Sequence, residues 1–305
     1  MDLVRRQAPS LEAAGVSLDA LVIGGDEGPS AYARAARRMA RLNIHCPYDV
    51  VHAHYGHAAV PAGFQVRAPL VVTYWGSDLL GKRGPTGTVA PQSRVEAAVM
   101  RRLAAACDAT ITQSVEMERV LPATAQARNH VLPAGVDLAR FRPIPRADAR
   151  ARLGWTADER VVLFAANPDL PVKNHPLAVA AVEHLRASVP DVRLQVAWGR
   201  PPDEMPPLLM SAADALVLPS RSEGSPNVVK EALAAELPVV ATAVGDVEQL
   251  LDGLPGCHVC PPDAVALASG LEDALRADGC PKVAWRWRRW TSVRWHSARS
   301  RSTMT

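Results

Sequence analysis

The sequence predicts an α/β protein built from two doubly wound domains with parallel sheets. Three observations carry that expectation. Short runs rich in Val, Ile and Leu alternate with helical stretches along most of the chain. The 305 residues suit two domains of ordinary size, each able to bury a core. Finally, Ser222–Ala235 (SEGSPNVVKEALAA) follows the apolar run DALVLPS (Asp214–Ser220), giving strand, loop and helix in sequence.

The elements follow in order. LVRRQAPSLEAAG (Leu3–Gly15) is a helix candidate, interrupted by Pro9 and closed by Gly15. VSLDALVIGG (Val16–Gly25) reads as a strand, and Ser30–Leu42 as an amphipathic helix rich in Ala and Arg. YDVVHAHYG (Tyr48–Gly56) is a strand running into a polar turn, and PLVVTYWGSD (Pro69–Asp78) is another. A helix lies between Pro91 and Ala106, followed by the strand DATITQS (Asp108–Ser114) and a short helix, Val115–Leu121. NHVLPAGVDLARFRP (Asn129–Pro143) closes this half.

In the second half, ARLGW (Ala151–Trp155) leads to the strand RVVLFAAN (Arg160–Asn167), the loop PDLPVKN and a helix from His175 to Val189. DVRLQVAWG (Asp191–Gly199) is a strand and PDEMPPLLMSAA (Pro202–Ala213) a short helix. After Ser222–Ala235 come the strand PVVATAVG (Pro238–Gly245), a helix from Asp246 and a last strand near His258.

The chemistry concentrates in the stretch after Ser220. Pro226 suits a first helical turn, where its missing N–H costs nothing, and Ser225 can cap that turn. Val228, Val229, Ala232 and Leu233 continue at helical spacing. Glu223 then sits at the carboxyl end of a strand, where open α/β sheets bind ligands. Glu231 lies about one turn inside the helix, whose free starting amides favour an anion such as a phosphate.

Other residues carry less. His52 and His54 alternate along their strand and are expected to face different ways, with His54, nearer the carboxyl end, the candidate for a ligand cleft. His54, Tyr55 and Asp78 do not make a convincing metal set. Asp78 can accept from the hydroxyls of a ligand or cap the following turn. Cys257 and Cys260 form a CxxC on a strand, where residues three apart point to opposite faces and chelate one ion poorly. Five dispersed cysteines imply no disulfide framework.

The net charge of +3 hides a split. Residues 281–305 hold one Lys, six Arg, four of the seven Trp and no acid, leaving 27 basic and 31 acidic residues elsewhere, a net of −4. An argument for nucleic-acid binding therefore rests on this tail alone. It would require affinity that vanishes with the tail and falls steeply with salt, and no nucleic-acid partner is expected. A frameshifted end is the favoured explanation for residues 281–305, and the tail 278–305 is expected to be disordered. No apolar run approaches the roughly 18 residues of a membrane span and no signal peptide is evident, so a cytoplasmic protein is expected, with peripheral membrane contact the variant.

The motif E-G-x-P-N-V-V-K-E-A-L, with seven residues between Glu223 and Glu231, resembles the E-x7-E signature of the retaining GT-B glycosyltransferases of family 4. VVHAHYG, VVTYWGSDLLG and PAGVDLARFRP resemble the first half of that family, particularly bacterial members of the teichuronic-acid-biosynthesis type. The resemblance runs from about residue 4 to 275.

The resemblance implies a GT-B fold, with Rossmann-like domains at 1–142 and 143–277 facing a cleft and hinged near Phe141–Pro145. It implies that Glu223 approaches the transferred sugar, Glu231 holds the ribose, and Lys173 holds the diphosphate with the amides near Asn227 and Val228. Gly224, Ser225 and Arg221 belong to the same donor-binding set, and His54, Tyr55 and Asp78 lie on the acceptor side. A lysine at 173 would supply a point charge for the departing nucleotide. The implied partners are a nucleotide-sugar and a glycan or lipid-linked acceptor, with no cofactor and no metal.

The chain also departs from the family. The arginine that many members place before the lysine is Asn167 here, a position for which Arg221 is the candidate substitute. The histidine before Gly-Ser-Asp is Trp75, and the Asn of the usual P-N-G-V-D is Ala134. The family's domain opens with a strand and a glycine-rich loop ahead of the helix that begins this chain, so its first strand is expected to be absent. Val16–Gly25 and Tyr48–Gly56 would then each lose a neighbour. A GT-B sugar-nucleotide epimerase and a non-catalytic remnant remain the alternatives to a transferase.

Overall fold

The computed structural model of the chain describes residues 2–24, 28–84, 88–199 and 205–277. Gly25 and the Arg/Trp-rich stretch 278–305 lie outside the described residues. The chain divides into two compact units: Met1–Lys82 with Val89–Pro133, and Arg83–Thr88 with Ala134 onward. The division falls ahead of the expected 142/143 boundary.

The first unit contains α1 (Asp2–Ala13), α2 (Pro29–Arg41), β1 (Val51–His54), α3 (Gly56–Ala62), β2 (Leu70–Thr73) and α4 (Ser77–Leu80). It continues through α5 (Pro91–Ala104), β3 (Ala109–Thr112), α6 (Val115–Arg119), α7 (Ala123–Gln126) and β4 (Asn129–Val131). Its four strands run parallel in the order β1-β2-β3-β4. The core beside this sheet contains Val72, Tyr74, Leu79, Met100, Ala104 and Met117.

Residues 16–24 are a departure from expectation: they form no strand. A strand exists only where a neighbour takes its backbone hydrogen bonds, and among the described residues β1 is the sheet's edge, with β2 as its one partner. Val16, Leu18 and Val22 are accordingly left exposed.

The second unit follows expectation closely. It contains α8 (Arg146–Leu153), β5 (Arg160–Phe164), α9 (His175–Leu185), β6 (Val192–Val196), α10 (Met205–Ala212) and β7 (Ala215–Leu218). Then come α11 (Asn227–Ala234), β8 (Val239–Thr242), α12 (Val247–Leu251), β9 (His258–Cys260) and α13 (Ala264–Arg276). All five strands are parallel, in the order β6-β5-β7-β8-β9. The order reverses between β6-β5 and β7-β8, so the crevice past the carboxyl ends of β5 and β7 is the natural ligand position.

Every residue of β7 and β8 is buried, as expected of strands covered on both faces. One face packs Val161, Leu163, Leu216, Val229, Leu233 and Val239, and the other Val162, Val217, Val240, Val182 and Leu271. Helix α13 was not anticipated from the sequence, although Asp263 is a residue type that commonly opens a helix. Asp263 caps it by accepting from the backbone N–H groups of Val265 and Ala266 at 3.0 Å each.

Asp214, just before β7, is the electrostatic centre of this unit. Only 4% exposed, it accepts from Arg150 Nη2 at 2.8 Å, Arg146 Nη1 at 3.0 Å and the backbone N–H of Val161 at 2.7 Å. Arg150 is equally buried, and its guanidinium also donates to the carbonyls of Ala212 and Ala157. A buried charge needs this completeness, because an unpaired one costs several kcal/mol (on the order of 3–5).

Candidate functional site

The site in the second unit is made by three loops that leave the carboxyl ends of β5, β7 and β8. The β5 loop ends in one tight turn, Pro171–Lys173, after which Asn174 adopts the left-handed conformation (φ 54°, ψ 44°) and starts α9. Asparagine tolerates that region better than most residues. Its side chain ties this turn to the next loop: Nδ2 donates to the carbonyl of Pro219 at 3.2 Å, and Oδ1 accepts from Arg221 Nη2 at 3.1 Å. The backbone N–H of Arg221 donates to the carbonyl of Val172 at 2.8 Å.

These ties bring Lys173 and Glu223 together. Lys173 Nζ stands 2.7 Å from Glu223 Oε1, and both side chains keep some contact with solvent, 24% and 13% exposed. Fifty positions separate them in sequence. Arg221, the expected substitute cation, directs one guanidinium nitrogen back onto Asn174.

Helix α11 starts differently from expectation. Pro226 occupies the position before the helix, with φ −71° and ψ 112°, and Asn227 is the first helical residue. Ser225 does not cap it, because its hydroxyl donates to Asp246 Oδ2 at 2.7 Å. The start therefore has no side-chain cap and no acidic residue in its first turn. That leaves the starting amides, including those of Asn227 and Val228, as donors for an anion. Two buried side-chain atoms nearby, Asn227 Oδ1 and Ser220 Oγ, have no hydrogen-bond partner among the described residues. Buried polar atoms are rarely left so.

Glu231 lies within α11, half-buried. Its neighbour Lys230 is fully buried and donates from Nζ to the carbonyl of Ala134 at 2.7 Å. Burial pushes its pKa down to about 8, against the attraction of Asp246 and Glu231. Gly224, within the loop before α11, is buried.

In the first unit, His54 and Tyr55 lie where β1 ends. His52 and His54 are two residues apart and so share a face of the strand, contrary to the expectation that they diverge. Their ring centroids are 4.2 Å apart. His52 Nε2 meets Thr73 Oγ1 at 2.7 Å, whereas His54 Nδ1 is buried without a partner among the described residues. Burial, then the neighbouring His52, lowers the His54 pKa to about 4. Trp75 lies beside it, with ring centroids 6.0 Å apart and its indole nitrogen also unpartnered among the described residues. Tyr55 has φ +80°, rare outside glycine.

Asp78 is only 3% exposed and engaged by backbone. It accepts from the N–H groups of Gly56 at 3.1 Å, Trp75 at 3.1 Å and Gly76 at 2.9 Å. Burial pushes its carboxyl up and these N–H donors pull it down. Of its two expected roles, the geometry shows bracing of the turn after β2 and no open face for a sugar.

No group of three His, Cys, Asp or Glu among the described residues is arranged to hold a metal ion. Cys257 packs against one face of the five-stranded sheet and Cys260 against the other, so they do not form a chelating pair. No helix among the described residues is long and apolar enough to cross a membrane.

Sequence reasoning missed Asn174, Lys230 and Asp246. Asp246 follows Gly245 at the carboxyl end of an apolar strand, the same position that singled out Glu223, so the signal was available.

Comparison with known proteins gives a consistent picture. Residues 3–140 match the model for "Glycosyltransferase Family 4" and residues 196–277 that for "Glycosyl transferases group 1". The D-inositol 3-phosphate glycosyltransferase of Xylanimonas cellulosilytica is 33% identical over 271 residues, covering 76% of this chain and 64% of that protein. The chain thus spans just under two thirds of that relative's length. Among solved structures, HepE from Anabaena in complex with UDP-glucose superposes with a TM-score of 0.67 at 20% identity, covering 97% of this chain and 89% of that one. Sucrose-phosphate synthase from Thermosynechococcus elongatus gives 0.66 at 22% identity, covering 81% and 69%. At these identities the structures establish the fold, which is GT-B.

Proposed function

This chain belongs to glycosyltransferase family 4, and from that premise we propose that it is a retaining glycosyltransferase moving a sugar from a nucleotide-sugar donor to a glycan or lipid-linked acceptor in cell-surface polysaccharide synthesis. The observation that carries this reading is the meeting of Lys173 and Glu223 at 2.7 Å, past the carboxyl ends of β5 and β7. The uncapped start of α11 lies on the same loop. That arrangement offers one cation, one carboxylate and free backbone donors at the expected ligand position.

In this mechanism Glu231 holds the ribose hydroxyls. Lys173 and the amides of Asn227 and Val228 hold the diphosphate, and Glu223 positions the donor sugar. As the glycosidic bond breaks, negative charge gathers on the departing phosphate, and the Lys173 ammonium stabilises it. The departing oxygen takes the proton of the acceptor hydroxyl arriving on the same face, so configuration is retained without a covalent enzyme nucleophile. His54 and Tyr55 serve the acceptor. A lipid-linked acceptor would bring the protein to the inner membrane surface.

A relative in fold was solved with UDP-glucose, which makes a UDP-sugar the first donor to test. The experiment is a thermal melt of the purified chain against UDP-, GDP- and ADP-sugars. One nucleotude class should raise the transition, and Glu231→Ala should abolish that rise. A cooperative melt unmoved by all three would overturn the reading.

A further inference from the structure

The proposed roles leave unexplained what fixes the Glu223 loop, which runs from Pro219 to Pro226 and leads into the start of α11. The turn after β8 packs against it. Gly245 has φ +58°, and a Cβ there would stand 2.5 Å from the carbonyl oxygen of Gly224 and 3.0 Å from that of Glu223. The two loop backbones therefore touch at a point where only glycine fits. The next residue, Asp246, is 4% exposed and receives the Ser225 hydroxyl at 2.7 Å. Lys230 is buried one turn along α11, and the Asp246 carboxylate favours its charge. From the same strand, Thr242 Oγ1 donates to the carbonyl of Ser220 at 2.6 Å, fixing where the loop begins.

We propose that Asp246 is a positioning residue for the donor site: through Ser225, and over the bare Gly245 backbone, it holds the loop that presents Glu223 and the first amides of α11. It touches no substrate and works through backbone placement. A carboxylate is suited to the task because it accepts a short, strong bond from a hydroxyl while balancing the buried ammonium of Lys230. The proposal rests on the donor-site reading above, and its test separates the two.

The first measurement is amide hydrogen exchange on the full chain without ligand, comparing Asp246→Ala, Asp246→Asn and Ser225→Ala with the unaltered protein. Exchange at residues 222–228 should quicken by about tenfold in Asp246→Ala and Ser225→Ala, with α9 and α13 unchanged. Asp246→Asn keeps an acceptor oxygen and should recover part of the protection. The second measurement is UDP-glucose affinity by calorimetry. Each Ala variant should bind about tenfold more weakly, and Asp246→Ala/Ser225→Ala should be no worse than the poorer single variant.

Unchanged exchange at 222–228 in Ser225→Ala would overturn the proposal. So would affinity losses that simply add, or a lowered melting temperature with intact affinity. Should the unaltered chain bind no nucleotide-sugar, the donor reading fails, while the exchange result still decides whether Asp246 holds the loop.

Discussion

Lys173 Nζ and Glu223 Oε1 lie 2.7 Å apart, so the cation and the carboxylate proposed to act on the donor pair with each other. The pair closes a link between the loops after β5 and β7. With 24% and 13% of the side chains exposed, water screens it, and its net contribution to stability is about 1 kcal/mol or less. In the proposed donor site, a diphosphate would compete with Glu223 for the ammonium and so release the carboxylate toward the sugar.

Lys173→Ala should therefore leave the melting temperature almost unchanged but reduce turnover by about a hundredfold, the scale for losing one charge-stabilising group. Steady-state kinetics with the donor identified by the thermal scan checks this. A variant that loses stability and keeps its turnover would place Lys173 outside the reaction.

Glu223→Gln removes the charge and keeps the shape. Sugar positioning should suffer while the nucleotide portion remains held, so kcat should drop sharply with little change in the affinity for free nucleotide. Calorimetry with the nucleoside diphosphate alone, set beside kcat, separates the two effects.

His54 should make stability pH-dependent. Its folded pKa of about 4 lies below the ordinary value of 6.5, so the native state resists its protonation. The contribution is fully present above about pH 6.5 and is lost as the pH falls toward 4. Urea unfolding between pH 7.5 and 4 should show a steeper decline for the unaltered protein than for His54→Gln. Parallel curves would mean that His54 titrates normally.

Asp214→Ala should be among the most damaging single substitutions. It would leave the buried Arg150 guanidinium without its carboxylate and the N–H of Val161 without an acceptor. The expected loss is about 3–5 kcal/mol, read from the shift in the chemical-denaturation midpoint. Arg146→Ala, which removes a half-exposed partner of the same carboxylate, should cost far less.

The second unit was legible because buried parallel strands leave continuous apolar runs. DALVLPS and PVVATAVG both contain strands within the spans read from sequence. Glu223 and Lys173 stood out by their places in loops after such strands, but their contact did not, since it depends on how Asn174 fastens one loop to the next. Residues 16–24 were read as a strand from their apolar composition, yet the expected absence of the family's first strand already implied a lost neighbour, and among the described residues they pair with none. The His52–His54 expectation failed on simple geometry: a period of two returns the side chain to the same face. Ser225 was taken for a cap because Ser before a helix usually is one, and a carboxylate from the next loop outcompeted the amide.

The Asp214 cluster also bears on the order in which the second unit assembles. Asp214 lies 64 positions from Arg150 and 53 from Val161, so its charge is satisfied only after a long stretch of chain has closed. Until then the carboxylate stays hydrated, and the β5-β7 pairing brings closure entropy with little immediate return. Where such bonds are completed after the folding barrier, they act mainly as a brake on unfolding. Their loss should shorten the lifetime of the native state more than it slows its formation.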